Sequence, residues 1–305
     1  EALVSKRTSS MMQPQQAAKI EKTTRKHFPD GIPGYGTDAL RYTFYSLAST
    51  GRDIKFDLGR MEGFRNFCNK LWNASRYVLM NTEGFDPTAA SHRSQADQWI
   101  LSRLQTTIAE TTNSIEQYRF DHAVQTLYDF VWNEYCDWYL ELSKPVLWDD
   151  ASPSELRQGT LRTLLEVLET ILRLMHPLMP FITEELWGSS GARDKMLVHG
   201  DWPTYGAELI DAEADREMNW VIGLIDDIRS ARQQMHVPAG LKIPMLVSGW
   251  DDTGKGAWAR NEALIKKLAR VESLTEVDAF PKGCISIAVA GGSFALPLAD
   301  IIDVG

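Results

Sequence analysis

The sequence predicts a mainly α protein: an antiparallel helical bundle, preceded by a short α/β segment and followed by a small α+β module. Three observations carry this. Apolar residues recur at three- and four-residue spacing through four long stretches between residues 63 and 176, separated by short polar or proline-marked connections. Beyond Trp202-Pro203 the pattern changes to short runs with alternating apolar positions, mixed with two further helical stretches. The composition, 44% apolar and 24% charged over 305 residues, is that of a globular protein with two or three domains.

Taken in order, Met11–His27 is rich in Gln, Ala, Lys and Glu and reads as a helix stopped by Pro29-Asp30-Gly31. The residues before it carry no start signal or cap, and Glu1 reads as a cut into a longer chain. Asp30–Gly36, with three glycines and a proline, is a turn-rich connector. Thr37 or Asp38 then caps a helix, TDALRYTFYSLAS, that turns Leu40, Phe44 and Leu47 to one side and ends at Gly51. Asp53–Phe56 alternates as a short strand, and Asp57 caps the helix that follows.

That helix ends near Glu83-Gly84, and a polar loop leads to about Ser94. Gln95–Tyr118 is amphipathic through Trp99, Ile100, Leu104, Ile108 and Ile115. Phe120–Leu142 is the most apolar segment, with four Trp or Tyr between Trp132 and Tyr139, so it belongs at the centre of the bundle, closed by Pro145. A further helix begins at Ser152-Pro153 and runs through Leu161, Leu164, Leu168, Ile171 and Leu174 to His176. Pro180–Trp187 is short and helical. In the last third, Asp215–His236 and Ala257–Val271 read as helices, and Lys242–Trp250, Leu274–Phe280, Cys284–Ala290 and Ser293–Leu298 as strands. Gly291-Gly292 marks a hairpin between the last two.

The helix over Gly63–Asn81, GFRNFCNKLWNASRYVLMN, separates into two faces at about 100° per residue. An apolar stripe runs through Phe64, Phe67, Cys68, Leu71, Trp72, Ala74, Val78 and Leu79. The opposite face carries Asn66, Asn69, Lys70, Asn73 and Tyr77, with Arg65 and Arg76 on one flank. Asn costs a helix about 0.5 kcal/mol relative to Ala, so three of them on one face suggest a surface that reads polar, planar ligands. The plainer alternative is a solvated face.

The net charge of −9 excludes a protein coated in positive charge, but the distribution is uneven. Ser5–His27 carries +5 and Arg52–Met80 carries +3, whereas Asp121–Glu169 carries −7. A basic first third is compatible with local nucleic-acid contact. No apolar run reaches the ~18 residues of a membrane span, and no signal peptide opens the sequence. Three scattered cysteines point to a reduced, cytoplasmic protein, with Cys68 and Cys136 as core filler. No phosphate-binding glycine loop, metal-ligand spacing or G-x-S-x-G elbow occurs. His176, ahead of Pro177, reads as a helix-end histidine. Asp137 and Glu141 share a helix face and form the one arguable acid pair, in a context that favours a packing edge.

Several segments resemble a known family. GTDALR (Gly36–Arg41) is similar to the helix after the KMSKS loop of class I aminoacyl-tRNA synthetases of the isoleucine, leucine and valine group, and HPLMPFITEELW (His176–Trp187) to that group's bundle motif. GRDIKFD (Gly51–Asp57), NFCNKLWNASRYVLMN (Asn66–Asn81) and NEYCDWYLELSKP (Asn133–Pro145) resemble the bacterial valyl-tRNA synthetases in particular. The likeness is close from about Leu3 to Pro203 and looser beyond. It implies a C-terminal fragment with the anticodon-binding domain of such a synthetase, in which 1–57 is a stem-contact region after the catalytic core, 58–203 the anticodon-binding bundle and 204–305 a module before a coiled-coil arm. Catalytic and editing sites would lie before Glu1, so no cofactor belongs to this fragment, while ATP and Mg serve the parent enzyme.

The partner implied is tRNA(Val), with no DNA and no membrane, and a monomer is expected. In this family the anticodon loop meets the Gly63–Asn81 helix, where Lys70 and Tyr77 fall at contacting positions. Asn66, Asn69 and Asn73 offer donors and acceptors to exposed base edges, and Arg60, Arg65 and Arg76 complete the candidate set. Where relatives often carry a basic residue at the start of this helix, Gly59 stands, followed by Arg60. The competing readings are a synthetase-like helical module acting on another RNA or protein, which a partner-facing acidic surface after Asp121 would favour, a helical enzyme built on Asp137 and Glu141, and an isoleucyl relative.

Overall fold

The computed structural model describes residues 1–49, 51 and 54–297. Its N-terminal part is helical: α1 (Ala2–Thr8), α2 (Ala17–His27, led in by a 3₁₀ turn at Pro14–Gln16) and α3 (Thr37–Leu47). α1 forms without a side-chain cap, and it packs on α2, with Arg7 donating to Thr24 Oγ1 at 3.0 Å. The expected strand does not form at Ile54–Phe56, and Asp53 lies outside the described residues. Nor do Leu40 and Phe44 face inward: they are exposed, and Asp38, Ala39, Tyr42 and Thr43 form the buried side of α3.

The bundle consists of α4 (Leu58–Asn81), α5 (Gln95–Glu116), a long rod and α8 (Ser154–Met175), followed by α9 (Pro180–Ser189). Asp57 caps α4 through Gly59 N–H at 2.8 Å, and Ser94 and Asp97 form a reciprocal capping box on α5. The rod is continuous: α6 (Phe120–Asp129) passes into a wider π-helical stretch (Phe130–Tyr139) and on into α7 (Leu140–Leu147). Pro145 does not close it, as expected from sequence, but lies inside α7. The rod is buried through Phe130, Val131, Tyr135, Cys136, Tyr139, Leu140 and Leu142, as its aromatic content requires. Gly159 of α8 is needed for space, because a Cβ there would lie 1.9 Å from the His92 carbonyl oxygen of the crossing loop.

The chain then forms α10 (Ala212–Gln234), β1 (Ile243–Ser248), α11 (Asp252–Ala269), β2 (Val271–Glu276), β3 (Cys284–Val289) and β4 (Gly292–Pro297). The sheet order is β2-β1-β4-β3, with β1 and β2 parallel and the other pairs antiparallel. The hairpin turn falls on Ala290 and Gly291, one residue before the Gly291-Gly292 pair expected from sequence, since Val289 pairs with Gly292 and Gly291 takes φ +83°. Leu298 of the expected last strand lies outside the described residues. Buried side chains from Tyr42 to Leu296 form one contiguous core. No described helix is long and apolar enough to cross a membrane.

Candidate functional site

The site begins with how α4 is seated. An aromatic series ties it to its neighbours: Tyr42 of α3 meets Phe64 edge-on at 4.9 Å, Phe67 lies 4.9 Å from Tyr128, and Tyr128 stacks on Trp132 at 5.5 Å. Met61, Phe67, Leu71, Ala74, Ser75 and Val78 are buried. This fixes the rotation of the helix, and the outward face is turned from the one that periodicity predicts. Asn66, Asn69, Asn73, Arg76 and Met80 form one exposed stripe, spaced three or four residues apart. Trp72, expected in the apolar stripe, is 39% exposed and flanks this strip. It is displaced because Phe64, Phe67 and Leu71 already fill the contact with the rod.

Lys70 and Tyr77 lie along the seam between α4 and the rod. The Lys70 ammonium pairs with Asp137 and stands 3.9 Å from the centroid of the Trp132 ring. Tyr77 is half-buried, with its hydroxyl 3.3 Å from Ser143 Oγ and its ring edge-on to Trp148 at 6.5 Å. Burial raises the Tyr77 phenol above its ordinary pKa, so the side chain stays neutral. Arg65 pairs with Glu62 at 3.7 Å and lies 5.4 Å from the Tyr35 ring of the connector. Arg76 is exposed and, among the described residues, has no carboxylate partner. Arg60 lies apart from the strip, lining a cleft of about 310 Å³ with Ser46, Phe64, Asp121 and Tyr128. Gly59 suits its place, since a Cβ there would come within 3.2 Å of the capping carboxylate of Asp57.

The arrangement offers a row of amide donors and acceptors, the exposed Arg76 guanidinium and a seam with a cation and a phenol. It suits the recognition of unpaired bases, which present polar edges and flat faces together. The acid-pair reading fails geometrically: Asp137 is held by Lys70, and Glu141 by Lys144. Of the ten acids between Asp121 and Glu169, six are paired with bases, five of these on other elements or turns. The acidic run is thus largely internal cross-linking, which removes the ground for a partner-facing acidic patch. Cys68 and Cys136 are unreactive packing residues, their thiols pushed up to about 12 by burial. His176 caps α8, its Nδ1 2.9 Å from Thr183 Oγ1, with burial holding its pKa below the ordinary value. No cluster of three His, Cys, Asp or Glu able to hold a metal occurs among the described residues.

Residues 97–247 match the family described as the anticodon-binding domain of tRNA ligase. The chain is 48% identical over 304 residues to a valine–tRNA ligase of Ruegeria pomeroyi, covering 97% of this chain and 30% of that protein. It is 45% identical over 312 residues to one from Legionella pneumophila, covering 99% of this chain and 34% of that protein. The chain therefore spans about a third of the length of these curated relatives. A LeuRS–tRNA–LeuAMS ternary complex of Agrobacterium radiobacter K84 matches 59% of this chain and 21% of its own, with a TM-score of 0.44 and 19% identity.

Proposed function

We propose, from the premise that this chain belongs to the tRNA ligases that carry an anticodon-binding domain and is of valine–tRNA ligase type, that it holds the anticodon loop of tRNA(Val) against α4. The observation that carries this reading is the exposed row Asn66, Asn69, Asn73 and Arg76 beside the Lys70 and Tyr77 seam. Amide side chains can pair with Watson–Crick edges, Tyr77 can stack, and Lys70 and Arg76 can meet phosphate or base acceptors. Arg65 and Arg60 contribute from the flank, Arg60 through its own cleft.

The longer parent performs ATP-dependent ligation of valine to its tRNA, with ATP and Mg bound outside the present chain. Under this reading residues 1–57 meet the stem, 58–203 form the anticodon-binding bundle, and 204–305 form the module that follows it. The chain alone catalyses nothing, acts as a monomer and works in the cytoplasm. The test is a binding titration with tRNA(Val) and with a version whose anticodon is replaced, both at one fixed salt concentration. Lys70→Ala and Tyr77→Ala are each expected to weaken binding by about 1–3 kcal/mol and to shrink the preference for the cognate anticodon. Equal binding to both RNAs, unchanged by either substitution, would overturn the reading.

A further inference from the structure

Trp148 ends α7 beside the C-terminal turns of α4, and at 59% exposure it is the most exposed of the ten tryptophans. Its place is fixed: its backbone N–H donates to Lys144 O at 2.9 Å, and its indole N–H reaches Asn81 Oδ1 at 3.4 Å. Tyr77 meets it edge-on at 6.5 Å and 67°. The Lys144 ammonium, paired with Glu141, stands 5.5 Å from the Trp148 ring and 5.9 Å from the Tyr77 ring. Asn81 closes the group by donating to Tyr77 O at 2.7 Å. Two aromatic rings, a cation and an amide therefore meet where the exposed strip of α4 ends.

We propose that Trp148, with Tyr77 and Lys144, forms a shelf on which one unpaired base of the bound RNA loop stacks. The proposal rests on the tRNA-binding reading above and adds to it a contact residue on a different helix. A large flat ring held in water by its own backbone and indole contacts is preorganised for stacking, so little ordering cost opposes it. The charges around it select a base over a phosphate. Lys144 is already paired with Glu141, and Asp149 and Asp150 follow Trp148 directly, so a phosphate meets repulsion there and a neutral base does not.

The test uses this chain and the anticodon stem-loop of tRNA(Val), with Trp148→Ala, Trp148→Phe and a set of RNAs each carrying one abasic loop position. Trp148→Ala is expected to weaken binding about 5- to 100-fold, while Trp148→Phe retains most of the affinity. The slope of log K against log salt stays unchanged, because no phosphate contact is lost. One abasic RNA binds the native chain and Trp148→Ala alike, which identifies the stacked base and gives the same readout on the unsubstituted protein. Native affinity in Trp148→Ala, with Lys70→Ala and Tyr77→Ala still weakened, overturns the shelf and leaves the reading above standing. A loss of affinity that flattens the salt slope overturns it in favour of a phosphate contact. Failure of the native chain to bind the stem-loop overturns both.

Discussion

At the scale of the residue, Lys70 shows how a contact-competent group is stored in the free protein. Its ammonium is paired with Asp137 and lies against Trp132, so it is partly covered and its charge is locally compensated. A partly exposed pair of this kind is worth up to about 1 kcal/mol, which RNA bound as proposed above would have to displace. Asp137→Asn releases Lys70 and removes one negative charge from the interface. It is expected to tighten RNA binding by about 2- to 5-fold at low salt, with the gain shrinking as salt is raised. Weaker binding in a titration of this variant would mean that Asp137 orients Lys70 for the RNA. Asn66, Asn69 and Asn73 differ from Lys70 in being exposed already, so a contact under the proposed reading would need no internal partner to be broken.

At the scale of the element, α3 and α9 explain why GTDALR and HPLMPFITEELW occur in the same chain. α9 has no side-chain cap of its own, since Met179 stands at its N-cap. Asp38 of α3 supplies the cap from a distance, accepting from Phe181 N–H at 3.2 Å and Ile182 N–H at 2.7 Å. Arg41, one turn later, donates to Leu178 O at 3.2 Å and Pro177 O at 2.9 Å. One helix face thus grips both ends of the same turn, donor to carbonyl and carboxylate to amide. Asp38→Ala leaves two amides at the start of α9 without their acceptor and is expected to cost about 2 kcal/mol in urea unfolding. Asp38→Asn, which keeps an acceptor, is expected to cost less. A loss under about 0.5 kcal/mol for the alanine variant would show that water replaces the cap.

At the scale of the whole molecule, one buried carboxylate joins three helices. Asp97 of α5 accepts from Tyr139 of the rod at 2.6 Å, from Thr160 of α8 at 3.0 Å and from Ser94 N–H at 2.7 Å. Burial raises its pKa above the ordinary carboxylate value, against the pull of these donors. A raised pKa means that the folded state holds its proton longer than the unfolded chain. The stabilising share of Asp97 is therefore complete below the ordinary carboxylate range and is lost as pH rises through the folded value. In urea unfolding at about pH 4 and pH 7, the stability gap between the native chain and Asp97→Asn is expected to move against the native chain at the higher pH, by about 1.4 kcal/mol for each pKa unit of elevation. A gap that stays constant would place the folded and unfolded pKa values together.

Much of this architecture was legible in the residues. Helical periodicity located α4, α5, the rod and α8 to within a few residues, because each must bury a stripe about as wide as its apolar pattern. Asp57 announced its helix because capping is a local hydrogen bond, whereas the Ser94–Asp97 capping box on α5 became plain only in the structure. The sequence by itself thus determined the helical content, the sheet at the C-terminal end and the polar character of α4. Only the tertiary structure decided which side of α4 faces water, since Phe64, Phe67 and Leu71 compete with Trp72 for one contact and the rod accepts the first three. It likewise decided that Lys70 and Asp137, 67 residues apart, meet. Asp38 serves a helix far along the chain, and Trp148 stands open next to Tyr77. Periodicity describes one helix at a time, whereas these features depend on how two helices are set against each other.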